Sequence, residues 1–169
     1  MSNGSNFEDE LIAQLSELLG DDGVVMRQKQ ELRRRAGKFQ AEQYVDILID
    51  SPDREYYIGI EAKYAKADSN TPKFYLSAKY QPEQIEKQVT FAEQTGRRIF
   101  VAVYVENHEG EDYELLFPLS YFEEVLNSDE SGIRWQQLVD DGYSFDGGLT
   151  LEDFEAAEDV SPEAVLADA

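Results

Sequence analysis

The segment Ile60-Glu61-Ala62-Lys63 sets an acid two residues before a lysine, inside a stretch that alternates in the manner of a strand. Alternation sends Glu61 and Lys63 to one face and Ile58, Ile60 and Ala62 to the other. Asp46 follows Tyr44-Val45 at the head of a second strand candidate, and Ser51-Pro52-Asp53 is a turn signal that would fold the two into a hairpin. Two carboxylates on neighbouring strands suit a hard divalent cation. Magnesium takes oxygen donors and retains several waters, so Asp46, Glu61 and the backbone carbonyl of Ala62 make a sufficient set, with manganese as a substitute. An ammonium at Lys63 beside that set could orient a water for attack on a phosphodiester. The pattern acid-x-Lys is common in a chain with 36 acidic residues. Its weight comes from lying on a strand, after a partner that begins near an aspartate and before a glutamine-rich helix.

A second carboxylate stands out upstream. Phe7, Leu11, Ile12, Leu15, Leu18 and Leu19 define one face of a helix, and Glu8 falls near the middle of that face. A carboxylate there either meets a cation, a donor or a metal, or stays exposed in a first helical turn where it favours the helix dipole.

The remaining elements follow from periodicity and turn chemistry. Gly20-Asp21-Asp22-Gly23 stops the first helix, and Val24 to Arg27 is a short strand. The stretch to Glu42 is polar and basic without clear period, which predicts a loop or arm. Tyr44 to Asp50 and Tyr56 to Tyr64 form the hairpin. Ala65 to Tyr80 reads as a loop, Pro82 opens a helix to about Thr95, and Gly96 closes it. Ile99 to Val105 is the apolar run of a buried central strand, Asn107 to Glu111 a turn containing His108, and Tyr113 to Phe117 a further strand. Ser120 with Glu123 predicts a capping box before a helix to about Leu126. The order α-β-β-β-α-β-β-α predicts an α/β fold with a mixed sheet flanked by helices. The expected division is a domain over residues 1–145 and a mobile acidic tail over 146–169, with one short helix around Leu151 to Ala157.

Composition removes several classes of function. The chain has no cysteine and one histidine, which excludes disulfide scaffolds, cysteine-ligated zinc and catalysis by paired histidines. No apolar run approaches the roughly 20 residues that span a bilayer, and Met-Ser-Asn-Gly-Ser-Asn lacks the regions of a signal peptide. A cytoplasmic protein without a membrane partner is expected. The net charge of −21 opposes a polyanionic partner when taken as a whole. Its distribution says otherwise. Through Arg98 there are 17 acidic and 14 basic residues, whereas beyond it 19 acidic residues face Arg134 alone. In the first part Arg27, Lys29, Arg33, Arg34, Arg35 and Lys38 oppose only Glu31, and Lys66, Lys73 and Lys79 alternate with Tyr64, Phe74, Tyr75 and Tyr80. Basic clusters interleaved with aromatics suit nucleic acid, although a charge run without other support is more often a solvated loop face.

Taken in order, these pieces resemble the PD-(D/E)XK nuclease superfamily, and within it the archaeal Holliday junction resolvases. The resemblance runs from Phe7 to about Val105. It comprises Phe-Glu-Asp-Glu-Leu with Glu8, Val24-Val25-Met26-Arg27, the basic loop, Val45-Asp46-Ile47-Leu48, Gly59-Ile60-Glu61-Ala62-Lys63, and Gln84-Ile85-Glu86-Lys87-Gln88 leading to Phe91-Ala92. The strand Gly96-Arg97-Arg98-Ile99-Phe100-Val101-Ala102-Val103 closes it. The resemblance implies a restriction-endonuclease-like fold and a magnesium-dependent endonuclease, most like one that resolves four-way DNA junctions as a homodimer. Asp46 and Glu61 are then similar to the family's metal ligands, Glu8 to the helix carboxylate completing the site, and Lys63 to the lysine positioning water or phosphate. Gln84 or Gln88 matches the glutamine on the overlying helix, with Gln88 nearer the edge set by Ile85, Val89 and Ala92. Arg27 and Arg33 to Arg35 resemble a phosphate-contacting arm. Val45 stands where the family pattern has proline. The segment 65–80, the helix after Ser120 and the acidic extension are not usual in compact resolvases.

Three other readings remain. One is a restriction or repair nuclease of the same fold, a second is an inactive DNA-binding relative, and a third is an acidic interaction protein whose C-terminal charge is itself functional. Abundant acid with only seven lysines also resembles proteins of salt-loving archaea.

Overall fold

A computed structural model describes residues 3–28, 31–35, 38–52, 56–67, 70–145 and 148–162. In residues 3, 31–35 and 38–42 the description covers the backbone alone.

Six strands form the main sheet, in the order β1 (Val24–Arg27), β4 (Ile47–Asp50), β5 (Ile58–Lys66), β7 (Arg98–His108), β8 (Glu111–Pro118) and β10 (Tyr143–Ser144). All neighbours are antiparallel except β5 and β7, which run parallel from Ile58↔Arg98 to Lys66↔Glu106. A parallel pair needs a crossover, and α3 (Pro82–Thr95) supplies it. Pro82 costs α3 no hydrogen bond in its first turn, and Gly96 ends it at φ 73°, a left-handed conformation that favours glycine.

Alternation along the central strands divides the core in two. Val101, Val103 and Val105 of β7 pack against α3, α4 (Leu119–Asn127) and α5 (Trp135–Asp141) through Ile85, Phe122 and Leu138. On the opposite face, Ile47, Ile49, Ile58, Ile60, Phe100 and Ala102 meet α1 (Asn3–Leu19) through Phe7, Leu11, Leu15 and Leu19. Those four residues are the apolar stripe of the first helix. Leu18, assigned to the same stripe by spacing, is instead exposed. The mixed sheet with helices on both faces is the architecture that the order of sequence elements implies.

Several expectations are corrected. The basic stretch is not a featureless loop: β2 (Glu31–Arg35) and β3 (Lys38–Glu42) pair as an antiparallel ribbon, with Arg33 opposite Gln40 and Arg35 opposite Lys38. Its polar residues give no period from which a strand could be read. The segment after Ala65 extends β5 to Lys66 and then forms β6 (Lys73–Tyr75) and α2 (Leu76–Lys79). β6 pairs with β9 (Gly132–Arg134), and Phe74 lies edge-on to Trp135 at 6.1 Å. Ser120 lies inside α4 rather than at its cap, which is Pro118 without a side-chain hydrogen bond.

The capping box sits instead at Thr150 and Asp153, and it opens α6 (Leu151–Ala157). This helix belongs to the region expected to be a mobile acidic tail, but residues 148–162 pack back on the sheet. Leu149, Phe154 and Ala157 are buried with Phe100 and Leu116, and the Phe154 ring meets Phe100 edge-on at 5.1 Å. The acids of α6 mask an apolar stripe too short to register as periodic.

Candidate active site

Asp46 lies one residue before β4, and its backbone is fixed from two sides. Its N–H donates to the Ile60 carbonyl at 3.1 Å, and its carbonyl accepts from the Gln28 N–H at 2.9 Å. The Gln28 side-chain oxygen accepts the N–H groups of Tyr44 and Val45 at 2.9 and 2.8 Å, shaping the lead-in. The Asp46 carboxylate in turn accepts the Ala62 N–H at 2.9 Å and the Gln43 amide at 3.0 Å. Gly59 leaves room for the residue before Asp46, since a β-carbon there would stand 2.7 Å from the Ile99 side chain and 3.2 Å from that of Val45.

Glu61 projects from β5 toward α3 and is 3% exposed. Its two oxygens accept from different glutamines one helical turn apart: Gln84 Nε2 at 3.1 Å on Oε1 and Gln88 Nε2 at 2.5 Å on Oε2. Lys63, on the same face of β5, donates to Gln84 Oε1 at 2.9 Å and stands 3.6 Å from Glu61 Oε1. The Lys63 ammonium lies 4.7 Å above the ring of Tyr80. Burial pushes the Glu61 carboxyl well above its ordinary range, the neighbouring Asp46 carboxylate pushes it further, and Lys63 opposes them.

Glu8 is ion-paired and half-buried. Its Oε1 is 3.0 Å from Arg27 Nε, and the same guanidinium donates to Asp9. Burial raises its carboxyl, Asp46 raises it further, and Arg27 lowers it. Of the two readings open in the sequence, the partnered one therefore holds. The helix begins at Asn3, so Glu8 is not in its first turn.

The structure thus brings Asp46, Glu61, Lys63, Gln84 and Gln88 together, with Glu8 near enough to feel the Asp46 charge. Among the described residues no three Asp, Glu or His side chains converge to hold a metal ion. The donor set is the pair Asp46 and Glu61. That pair fits magnesium, which needs one or two carboxylates and otherwise keeps its waters. Two adjacent carboxylates, one of them buried and pushed toward its neutral form, are a site whose charge a dication would balance. The contact that Ala62 makes is through its N–H, which orients Asp46.

Of the basic residues, Arg27 is exposed at the end of β1. Lys66 is exposed, while Lys73 on β6 and Lys79 at the end of α2 are partly buried. Lys29 lies outside the described residues, as do the side chains of Arg33, Arg34, Arg35 and Lys38. Spacing missed four groups that shape the site: Gln28, Gln43, the Tyr44 carbonyl, which accepts from Gln88 Nε2 at 2.8 Å, and Tyr80, whose hydroxyl donates to Gln88 Oε1. Their partners lie on other segments of the chain, so no local pattern announces them.

No family model matches the sequence, and no curated protein matches it. Among solved structures, the chain is similar to Hjc, a Holliday junction resolvase from Archaeoglobus fulgidus, an archaeal hyperthermophile. The two are 19% identical with a TM-score of 0.50, and the alignment covers 92% of this chain and 96% of that one. At that identity the likeness speaks for the fold, and the six-stranded mixed sheet with its flanking helices is the restriction-endonuclease-like fold of that resolvase.

Proposed function

We propose that the chain is a magnesium-dependent endonuclease that hydrolyses DNA phosphodiesters, and that its substrate is a four-way junction cut by a homodimer. The observation that carries this reading is the buried Glu61. It stands beside Asp46 with the Gln84 and Gln88 amides donating to its two oxygens and Lys63 close by, on a fold shared with a junction resolvase. A bound dication supplies Lewis-acid polarisation of a phosphoryl oxygen and neutralises developing charge. Asp46 and Glu61 would hold it. Gln84 and Gln88 fix both oxygens of Glu61, and Lys63, held against Gln84 and the Tyr80 ring, offers N–H donors to a phosphoryl oxygen or to an attacking water. A twofold dimer would present two such sites to the two strands of a junction.

The test is cleavage of a labelled four-way junction and a linear duplex of the same arm sequences, across a magnesium series with manganese in parallel. Asp46→Asn and Glu61→Gln should each lower the junction-cleavage rate by about 100-fold or more. Equal cleavage by parent and variants would overturn the reading. Equal cleavage of duplex and junction would keep the nuclease and move it to the restriction or repair class.

A further inference from the structure

Tyr80 lies between α2 and α3, is fully buried, and is held edge-on against Phe122 at 5.1 Å. Its hydroxyl donates to Gln88 Oε1. That bond leaves neither polar atom of the amide without a partner. The two N–H bonds of Gln88 Nε2 go to the Tyr44 carbonyl at 2.8 Å and to Glu61 Oε2 at 2.5 Å, and its oxygen takes the phenol. Gln88 is itself fully buried, so each of these bonds is made in a place where no solvent competes.

The polarity of the amide matters. The Tyr44 carbonyl can only accept, as can Glu61 Oε2 in its ionised form, so a flipped amide would set its oxygen against a carbonyl and a carboxylate. With that polarity set, Oε1 needs a donor on the far side, and the Tyr80 hydroxyl, which can donate or accept, supplies it. The same ring carries the Lys63 ammonium 4.7 Å from its centre, so one side chain bears on both the carboxylate and the lysine of the proposed site.

We propose that Tyr80 is a positioning residue for the cation site: acting through Gln88, its hydroxyl holds Glu61 in the orientation that binds the metal. The inference rests on the proposed endonuclease reading. It adds an outer layer to the two carboxylates that the sequence displays, and it gives the segment between β5 and α3 a function. Outer-layer hydrogen bonds to metal ligands typically change affinity or activity by about 10- to 100-fold.

Tyr80→Phe is the discriminating variant, because it keeps the ring, the Phe122 contact and the seat for Lys63 while deleting the donor. Three readouts are taken on the full chain. In metal-free protein, the Gln88 side-chain amide protons, followed by 15N-labelled NMR, should exchange faster in Tyr80→Phe. Manganese titration by calorimetry should show binding weakened by about 10-fold, and the magnesium concentration for half-maximal junction cleavage should rise in parallel, with KM for DNA unchanged. Gln88→Leu and the double variant close a cycle. If Tyr80 acts through Gln88, Tyr80→Phe in the Gln88→Leu background should cost nothing further, and that apolar pair also serves if the single variant fails to fold.

Parental metal affinity in Tyr80→Phe, or a loss that adds fully to that of Gln88→Leu, overturns the inference while leaving the nuclease reading intact. A parent that binds neither manganese nor magnesium overturns both.

Discussion

Glu61 is the residue at which folding and the proposed chemistry conflict. A carboxylate 3% exposed beside a second carboxylate costs folding free energy that Lys63 and the two glutamines offset only in part. An amide in its place removes the buried charge and its repulsion with Asp46, a gain that exceeds the cost of turning one N–H toward a glutamine that donates to Glu61. Glu61→Gln should therefore stabilise the metal-free protein by about 1–2 kcal/mol while abolishing cleavage, the trade-off seen where a site is held in a strained charge state. Thermal unfolding in EDTA checks the first part. Added magnesium should raise the parent's Tm and leave that of Glu61→Gln unmoved. A variant less stable than the parent in EDTA would mean that the carboxylate is fully satisfied without a cation. Asp46, Glu61 and Lys63 were legible in the sequence because a strand has a period of two, so the faces of Glu61 and Lys63 follow from Ile58 and Ile60. Gln88 was legible for the same kind of reason, its spacing to Ile85 on a helix. Tyr80, Gln28 and Gln43 were not, because a neutral hydrogen-bonding side chain leaves no periodic trace and its partner lies far along the chain.

Among the elements, α6 shows how composition can hide packing. Its acids suggested a solvated tail, yet Phe154 is fully buried against Phe100 of the central strand, and the nearby Leu149 N–H donates to the Gln14 side-chain oxygen of α1 at 3.0 Å. The helix thus completes the face that α1 begins. Phe154→Ala should destabilise the protein by about 3–5 kcal/mol, read as a lower urea midpoint at unchanged slope. Removal of everything after Phe145 should do at least as much harm, since Leu149 and Ala157 leave the core with it. If Phe154→Ala melts like the parent, α6 contributes nothing to the fold. The long elements were readable in the sequence: α1 from its helical apolar spacing, α3 from Pro82 and Gly96 at its ends, and β7 from a near-continuous apolar run. The short ones were not. β6, β9 and α2 are three or four residues long, too short to show a period, and they exist because they pair with or pack on distant segments, as the Phe74–Trp135 contact does.

At the scale of the whole molecule, the net charge of −21 gives way to its arrangement. Arg134 is the one basic residue after Arg98, surrounded in sequence by acids, and the fold returns it to the basic part of the chain by pairing β9 with β6. The register sets Arg134 directly opposite Lys73. Like charges across a ladder are mutually destabilising, and a polyanion lying over them relieves the repulsion. Phe74 and Ile133, their neighbours on the two strands, are buried in the core on the face of the sheet that also bears Val101 and Val103, and α3, which overlies Glu61 and Lys63, packs into that same core. Phosphate contacts at Lys73 and Arg134 would therefore continue from the candidate site on its own side of the molecule. Arg134→Ala and Lys73→Ala should each weaken junction binding uniformly across sequences and reduce the slope of log affinity against log salt by about 1. Arg98→Ala, whose guanidinium stands 3.7 Å from Glu158 beside α6, is the control and should leave the slope unchanged. If all three variants share the parent's slope, the DNA does not lie over β6 and β9, and the basic face must be sought along Arg27 and the β2–β3 ribbon instead.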